Sequence, residues 1–132
     1  MVSSRINFNK VTKLVKTDDF SSVFNFRKRI SSEHLVMHFQ PNNLQSPRLG
    51  LVIGKKTAKL AVSRNYMRRV LREFFRFQLC TLPHVDLVVR AQKKFEKKAF
   101  IQIQKEFHDL TIKLNKRVST LPDINFINAV DQ

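Results

Sequence analysis

The chain has 132 residues, 42% of them hydrophobic, and its 25 Lys and Arg against 10 Asp and Glu give a formal net charge of +15. This length and composition suit one folded domain with one core and exclude global disorder. Without an apolar run of roughly 18 residues or an N-terminal h-region, the sequence predicts neither membrane insertion nor secretion. Its single cysteine, Cys80, excludes an intrachain disulfide framework and is expected to be a small buried residue of a cytoplasmic protein.

The N-terminal part of the chain predicts an arm followed by a short helix. Residues 1–12 have no clear periodicity, so we expect an extended arm. Thr17 is a suitable N-cap, and the two acidic residues after it are favourable in the first turn of a helix. Phe20, Val23 and Phe24 then lie on one face. A core position is favoured for most of the twelve Phe residues, but some rings are candidates for stacking on a base.

Two strands of one sheet are predicted next. Residues 34–40 alternate, so that one face of this strand carries Leu35, Met37 and Phe39. His38 lies on the opposite face. After a turn rich in Pro and Asn, residues 48–54 predict a second strand whose inward side chains are Leu49, Leu51 and Ile53. The other face of this strand has only Gly50, Val52 and Gly54, and these small residues are either an accident of packing or the floor of a groove.

The most highly charged segment, 55–76, predicts an amphipathic helix. It contains a single acid, Glu73, against eight cations, which are Lys55, Lys56, Lys59, Arg64, Arg68, Arg69, Arg72 and Arg76. On a helix over residues 61–77, four of the arginines form an i, i+4 row from Arg64 to Arg76, with Asn65 and Arg69 beside it. The opposite arc, which we expect to be buried, contains Tyr66, Met67, Val70, Leu71, Phe74 and Phe77.

The arginine row indicates a polyanionic partner. A solvated helix face usually alternates charges to form i, i+4 ion pairs, whereas a row of arginines repels itself by a few tenths of a kcal/mol per pair. Planar guanidinium groups bind phosphate in bidentate geometry, which suits a nucleic-acid backbone better than lysine does. On charge alone, the partner could be DNA, RNA or an anionic membrane surface.

The C-terminal part of the chain predicts a strand and a long helix. Residues 85–89 form a short β-branched run typical of a strand, and residues 93–98 form a basic connection. Apolar residues then recur at helical spacing from Phe100, and the helix is expected to end near Arg117. Residues 119–132 are expected to form a tail that can be disordered. The residues therefore predict the order α, β, β, basic α, β, α in a single RNA-binding or other polyanion-binding domain over 1–132.

No catalytic or metal site is predicted. The segment from Gly50 to Lys55 has the wrong spacing for a nucleotide-binding phosphate loop. The four histidines show no pairing with Cys80 at zinc-ligand spacing, and nothing in the sequence nominates a group that would activate this thiol. Because the acids are few and scattered, a self-sufficient hydrolase is not expected.

One family matches these patterns. The stretch AVSRNYMRRVLREFFR, preceded by RLGLVIGKKTAKL, resembles the signature of the bacterial ribonuclease P protein subunit, in which an RNR-type motif lies in the basic helix. The resemblance covers the order of elements from about Lys13 to Lys116, including a strand with the sequence DLVVRA. Arg64, Asn65, Arg68, Arg69 and Arg72 fall on positions of the motif. Tyr66 departs from it, because the family usually has a basic residue there.

The resemblance implies a fold and a function. The fold is α+β, a two-layer α/β sandwich in the order α-β-β-(β)-α-β-α, with about four strands and the basic helix in a left-handed βαβ crossover; the residues alone predict a right-handed one. The implied protein does not itself cleave. A catalytic RNA with bound Mg²⁺ removes the 5′ leader of precursor tRNA, and the protein, a monomer in a 1:1 complex without a metal site of its own, lowers the Mg²⁺ requirement.

The resemblance also implies two binding surfaces. The basic helix, with the eight cations named above and Asn65, would contact the catalytic RNA. A groove between the first helix and the sheet would hold the single-stranded 5′ leader, with Lys16, Phe20, Phe24, His38 and Val52 as its contacts. His38 stands where an aromatic ring is frequent in the family, and an imidazole can also stack on a base.

Two alternatives to the family function remain to be separated by experiment. A structural RNA-binding protein of the ribosomal type needs the basic helix but not the leader groove. A protein-only nuclease would cleave without added RNA. The groove separates the first alternative from the family function, and RNA-free cleavage separates the second.

Overall fold

The computed structural model describes residues 17–42, 44 and 46–120. The predicted arm, Lys16 and residues 121–132 of the predicted tail lie outside this part of the chain. The described elements are α1 (Thr17–Phe26), β1 (Arg29–Ser31), β2 (Leu35–Pro41), β3 (Arg48–Val52), α2 (Ala61–Phe77), β4 (Val85–Ala91) and α3 (Phe100–Ser119), with a short 3₁₀ turn at Lys97–Ala99. The predicted start of α1 and both ends of α2 are confirmed, and α3 ends two residues beyond Arg117.

The four strands form one mixed sheet in the order β1-β2-β4-β3. β2 pairs antiparallel with β1 and with β4, whereas β3 and β4 are parallel neighbours. The unit β3-α2-β4 is therefore a βαβ crossover, whose hand stays a prediction. β1 was not predicted from the residue pattern, because its three residues contain a single buried side chain, Ile30, and only the pairing with β2 defines the strand.

The larger core lies between one face of the sheet and the helices α2 and α3. The predicted inward side chains of β2 and β3 contribute to it, and Leu51 is only partly buried there. The buried arc of α2 consists of Met67, Val70, Leu71, Phe74 and Phe75. The burial predicted for Phe77 is wrong: its side chain is 78% exposed. At 100° per residue, Phe77 lies within about 20° of the buried Val70, so its exposure follows from its place at the last residue of α2 rather than from its helical face.

The opposite face of the sheet is covered in part by α1. Val23 of α1 and Val88 of β4 are fully buried against each other, with Phe20 and Val52 packed around them. The sandwich of sheet, α2 and α3 therefore gains a small third layer. Because β-strand side chains alternate, the residues of β2 and β4 that do not face α2 and α3 face α1.

The predicted burial of Cys80 is also wrong, because this residue is exposed. It follows α2 in a turn held by backbone hydrogen bonds from Leu79 to Arg76 and from Leu82 to Gln78. In this turn the next buried side chain is Leu82. Cys80 thus lies outside the helix whose periodicity could have buried it.

A carboxylate of α3 ties this helix to the turn between β1 and β2. Glu106 Oε1 accepts hydrogen bonds from Ser32 Oγ at 2.6 Å and from the His34 backbone N–H at 2.9 Å, and Glu106 Oε2 lies 2.7 Å from His34 Nδ1. Burial alone would raise the pKa of Glu106, but the hydrogen bonds from Ser32 and His34 outweigh burial and hold this pKa below its usual value. The ionised carboxylate therefore fixes α3 relative to β1.

We expect Glu106→Gln to lower the free energy of unfolding at neutral pH and to have a smaller effect at about pH 3. A carboxyl group whose pKa is lower in the folded chain stabilises the fold above its unfolded pKa of about 4.3, and this stabilisation is lost as the pH falls through the folded pKa. Chemical denaturation at both pH values measures the difference, with the exposed Glu96→Gln as the control. An equal loss at both pH values would contradict the assignment.

Candidate nucleic-acid interface

No side chain caps the N-terminus of α2; instead, Arg64 in the first turn binds the loop that precedes the helix. Leu60 occupies the N-cap position and makes no side-chain capping bond. Arg64 Nη1 instead donates to the backbone carbonyls of Ala58 at 2.8 Å and Lys59 at 2.9 Å. Arg64 thus holds the loop before the helix in place. This loop presents three exposed cations, Lys55, Lys56 and Lys59.

The far end of the arginine row is also engaged with the protein. Arg76 Nη1 lies 2.9 Å from Glu73 Oε2, an ion pair at i, i+3. The predicted continuous row is therefore not uniform along its length. Arg64 and Arg76, at its two ends, use part of their hydrogen-bonding capacity within the chain, which leaves the middle of the row as the part best suited to an external anion.

The middle of the row lines a cleft of about 710 Å³ between α2 and the connection that follows β4. Its lining residues are Val62, Ser63, Asn65, Tyr66, Arg68, Arg69, Arg72, Phe95, Glu96 and Lys97. Arg68 donates to Asn65 Oδ1 at 3.3 Å. The side chains of Arg69 and Arg72 are exposed and form no hydrogen bond or ion pair with other residues in the described part of the chain.

The floor of this cleft is aromatic. The ring centroids of Tyr66 and Phe95 are 6.3 Å apart, with the planes inclined at 66°. Phe95 is almost fully buried, whereas Tyr66 is half-buried at the cleft. The cleft therefore combines guanidinium groups with an apolar base. This combination accepts both the phosphates and a base face of RNA.

A second surface lies on the opposite face of the sheet, beside α1. Phe20 is half-buried against Val23 and Val88, whereas Phe24 is 36% exposed. The ring of Phe24 meets the ring of His38 edge to face, with centroids 4.8 Å apart. We call the surface formed by Phe20, Phe24, His38 and Val52 the α1 groove. Four of the five predicted leader contacts are thus brought together by the fold; the fifth, Lys16, is outside the described residues.

His38 has an unusual environment within the α1 groove. Only 8% of the residue is exposed, and its Nε2 atom is buried without a hydrogen-bond partner in the described part of the chain. Burial lowers the pKa of His38, and the positive charges of Arg90 and Arg29 lower it further. The imidazole is therefore neutral at physiological pH, so it would contact a nucleotide by stacking or hydrogen bonding rather than as a cation.

Two arginines near His38 were missed by the sequence analysis. Arg29 lies directly opposite His38 across the β1–β2 pair, and Arg90 lies opposite Val36 across the β2–β4 pair. Residues directly opposite in an antiparallel pair share a face, so both arginines lie on the same face as His38. Arg90 belongs to the DLVVRA strand of the family resemblance, but only the β2–β4 pairing places it beside His38. Arg29 could not be placed because β1 was not predicted.

The position of α1 over the sheet is fixed by a polar network at one end. Arg48 Nε and Nη2 each donate to a carboxylate oxygen of Asp86 at 2.7 Å, in bidentate geometry. Asp19 of α1 lies 3.7 Å from Arg48 Nη1, and Ser22 Oγ donates to Gln40 at 2.8 Å. These contacts join α1 to β2, β3 and β4. They hold Phe24 in register with His38.

The three small residues predicted to form the groove floor, Gly50, Val52 and Gly54, differ in burial. Val52 is half-buried against α1, and Gly50 is buried. Gly54 lies past the end of β3 and is exposed, and a Cβ atom placed on it would meet nothing within 4 Å. Val52 therefore packs against the small core beneath α1, whereas the space beside Gly54 is open.

A cluster of possible metal ligands exists among the described residues, at Glu33, His34 and Glu106. Its atoms already have protein partners, because Glu106 accepts from Ser32 and His34, and Glu33 lies 3.6 Å from Lys93. We therefore interpret it as the polar tie between α3 and the β1–β2 turn. Within the described ranges, none of the helices has the length and apolar character needed to cross a membrane.

Comparisons with known proteins give a consistent result. The family model described as Ribonuclease P matches residues 8–115. The ribonuclease P protein component of Chromobacterium violaceum is 47% identical over 92 residues, which cover 70% of this chain and 76% of that protein. The corresponding component of an Azoarcus species is 49% identical over 78 residues, covering 59% of this chain and 65% of that protein. The RNase P protein of Staphylococcus aureus superimposes with a TM-score of 0.71 at 25% identity, covering 81% of this chain and 97% of that one.

Proposed function

Because this chain belongs to the ribonuclease P protein family, we propose that it assists a catalytic RNA in removing the 5′ leader of precursor tRNA. The protein contributes binding rather than the chemical step. It holds the catalytic RNA on α2 and the single-stranded leader in the α1 groove, as a monomer in a 1:1 complex with the RNA.

The presence of two different surfaces on opposite faces of one sheet is the observation that carries this proposal. The cleft on α2 is cationic, with Arg68, Arg69 and Arg72 at its rim. The α1 groove instead presents the ring of Phe24 beside a neutral imidazole. A phosphate backbone suits the first surface, and unpaired bases that stack without strong sequence preference suit the second. A purely structural RNA-binding protein needs only the first.

The protein's part in the mechanism is electrostatic and positional. The guanidinium groups of α2 neutralise phosphates of the catalytic RNA, which reduces the repulsion between two RNA molecules. The α1 groove orients the leader so that the scissile phosphodiester is held in place, which lowers the entropic cost of reaching the reactive geometry. We expect this neutralisation to lower the Mg²⁺ concentration that the complex requires.

Mg²⁺ is expected to bind the RNA rather than a dedicated protein site. Mg²⁺ prefers oxygen ligands, and when bound it supplies an activated water and stabilises the leaving oxygen. The acids beside the α2 cleft already have cationic partners: Glu73 pairs with Arg76, and Glu96 lies 3.3 Å from Lys94. These carboxylates are therefore poor metal ligands, whereas RNA phosphates are good ones.

Reconstitution tests the proposed function directly. At low Mg²⁺, we expect the full chain together with its cognate catalytic RNA to cleave precursor tRNA at the mature 5′ end, and the RNA alone to cleave much more slowly. Gel analysis of end-labelled precursor measures both rates. The chain without RNA is the control and is expected to be inactive. Metal-dependent cleavage by RNA-free protein would instead support a protein-only nuclease, and no stimulation of the RNA would favour a structural RNA-binding role.

A further inference from the structure

A second cationic cleft lies at the edge of the sheet formed by β1. It has a volume of about 410 Å³ and is lined by Arg29, Ile30, Ser31, Lys113, Lys116 and Arg117. We call it the β1–α3 cleft. Four of these six residues are cations and none is an acid. It is separate from the α2 cleft, because α3 packs over β1 and β2 at one edge of the sheet, whereas α2 connects β3 and β4 at the opposite edge.

The cations of this cleft are available to a ligand. Lys113, Lys116 and Arg117 are exposed and stand at i, i+3 and i+4, so they lie on one face of α3. In the described part of the chain, neither they nor Arg29 form an ion pair. Like charges at this spacing destabilise a helix slightly unless an anion lies between them. The hydrogen bonds of Glu106 hold α3 against the β1–β2 turn and so keep the two walls together.

Arg29 connects this cleft to the α1 groove. It lines the β1–α3 cleft, and it also lies directly opposite His38 on the face of the sheet that carries the groove. Opposite residues of neighbouring strands are about 5 Å apart. An RNA strand that stacks on the exposed ring of Phe24, which contacts His38, therefore lies near Arg29 and next meets the β1 edge of the sheet. No further strand lies beyond β1 in the described sheet.

We propose that the β1–α3 cleft binds backbone phosphates of the upstream part of the 5′ leader, after the leader passes through the α1 groove and round the β1 edge. This inference rests on the proposed function, in which the groove holds the leader. The upstream direction follows from the topology. The catalytic RNA is held by α2 on the β3–β4 side, so the end of the leader near the cleavage site enters from that side and the distal end leaves at β1.

The test varies leader length. Affinities for precursor tRNAs with leaders of about 5 and about 15 nucleotides, a span comparable to known single-strand site sizes, are measured with the reconstituted complex. We expect Lys113→Ala/Lys116→Ala/Arg117→Ala to lose affinity for the long leader, on the order of tenfold, and to leave the short-leader affinity unchanged. The salt dependence for the long leader should weaken by about 0.7 in log–log slope per lost contact. All three residues are exposed, so folding is expected to be retained, and circular dichroism checks it.

The control variant is Lys98→Ala/Lys105→Ala, which removes two exposed cations that lie outside the β1–α3 cleft and form no ion pair among the described residues. We expect its affinities for the short-leader and the long-leader precursor to equal those of the wild-type chain. Two results would overturn the cleft assignment while leaving the groove supported. In the first, the cleft variant loses affinity equally for both precursors; in the second, it still binds the long-leader precursor more tightly than the short-leader precursor by the wild-type factor. If the wild-type complex does not distinguish precursor from mature tRNA, the proposed function itself fails.

Discussion

Replacing Phe24 with alanine is expected to remove most of the preference for precursor tRNA over mature tRNA. Phe24 is the exposed ring of the α1 groove and meets His38 edge to face. One lost base stack costs about 1–3 kcal/mol, roughly a 5-fold to 150-fold loss in precursor affinity. Mature tRNA has no leader, so its affinity should not change. Equilibrium binding of both tRNAs to the reconstituted complex measures the difference.

Phe77→Ala is the matched control for this experiment, because it removes an exposed Phe ring that lies outside both the α2 cleft and the α1 groove. It should leave both affinities unchanged. The double variant Phe20→Ala/Phe24→Ala should show a larger selective loss, although Phe20 also packs against Val23 and Val88, so its unfolding must be checked. Equal loss for precursor and mature tRNA, or no loss, would show that the groove does not hold the leader.

Replacing Arg69 and Arg72 together with alanine is expected to weaken binding to the catalytic RNA with or without substrate. Both side chains line the α2 cleft and have no ion pair among the described residues, so each is available for one phosphate. Each lost contact should lower the salt dependence by about one unit of log–log slope. At physiological salt, this corresponds to a loss in affinity on the order of tenfold or more. Titration of the RNA at several salt concentrations measures both quantities.

Lys98→Ala/Lys105→Ala removes the same charge from exposed positions outside the cleft that have no ion pair among the described residues, and it serves as the control. Its salt slope should equal that of the wild-type chain. If the slope of the Arg69→Ala/Arg72→Ala variant were unchanged, these arginines would face solvent in the complex. The variant should also keep its relative preference for precursor over mature tRNA, because the α1 groove is intact.

Local patterns predicted most of the elements. The 3.6-residue periodicity of α2 and α3 survives in the structure because each helix buries one face against the sheet. β2 and β4 are buried on both faces, so the alternation of β2 decides which layer each side chain enters, and the apolar run of β4 fits a strand covered on both sides. The pattern failed where burial depends on distant residues. β1 exists because it pairs with β2, and Phe77 is exposed because it is the last residue of α2, although it shares the helical face of the buried Val70. Cys80 is exposed because the chain has already left the helix there.

How well each candidate site was predicted also depends on whether its residues are close together in the sequence. The cations of α2 are close in sequence, so a single helix brings Arg68, Arg69 and Arg72 to one surface. The α1 groove combines α1 with β2 and β3, and its residues were assigned by family resemblance rather than by spacing. Arg29 and Arg90 escaped detection because they join His38 only through strand pairing.

By itself the sequence determined that this chain binds a polyanion, since charge and helical spacing are local properties that require no knowledge of the fold. The tertiary structure decided which arginines bond within the chain and which are left for a partner. Arg64 and Arg76 are engaged within the chain, whereas Arg69 and Arg72 face outward. The sheet also separates the α2 cleft from the α1 groove, because alternating strand side chains point to opposite faces and each face is covered by different helices. Only long-range pairing and packing could create that separation.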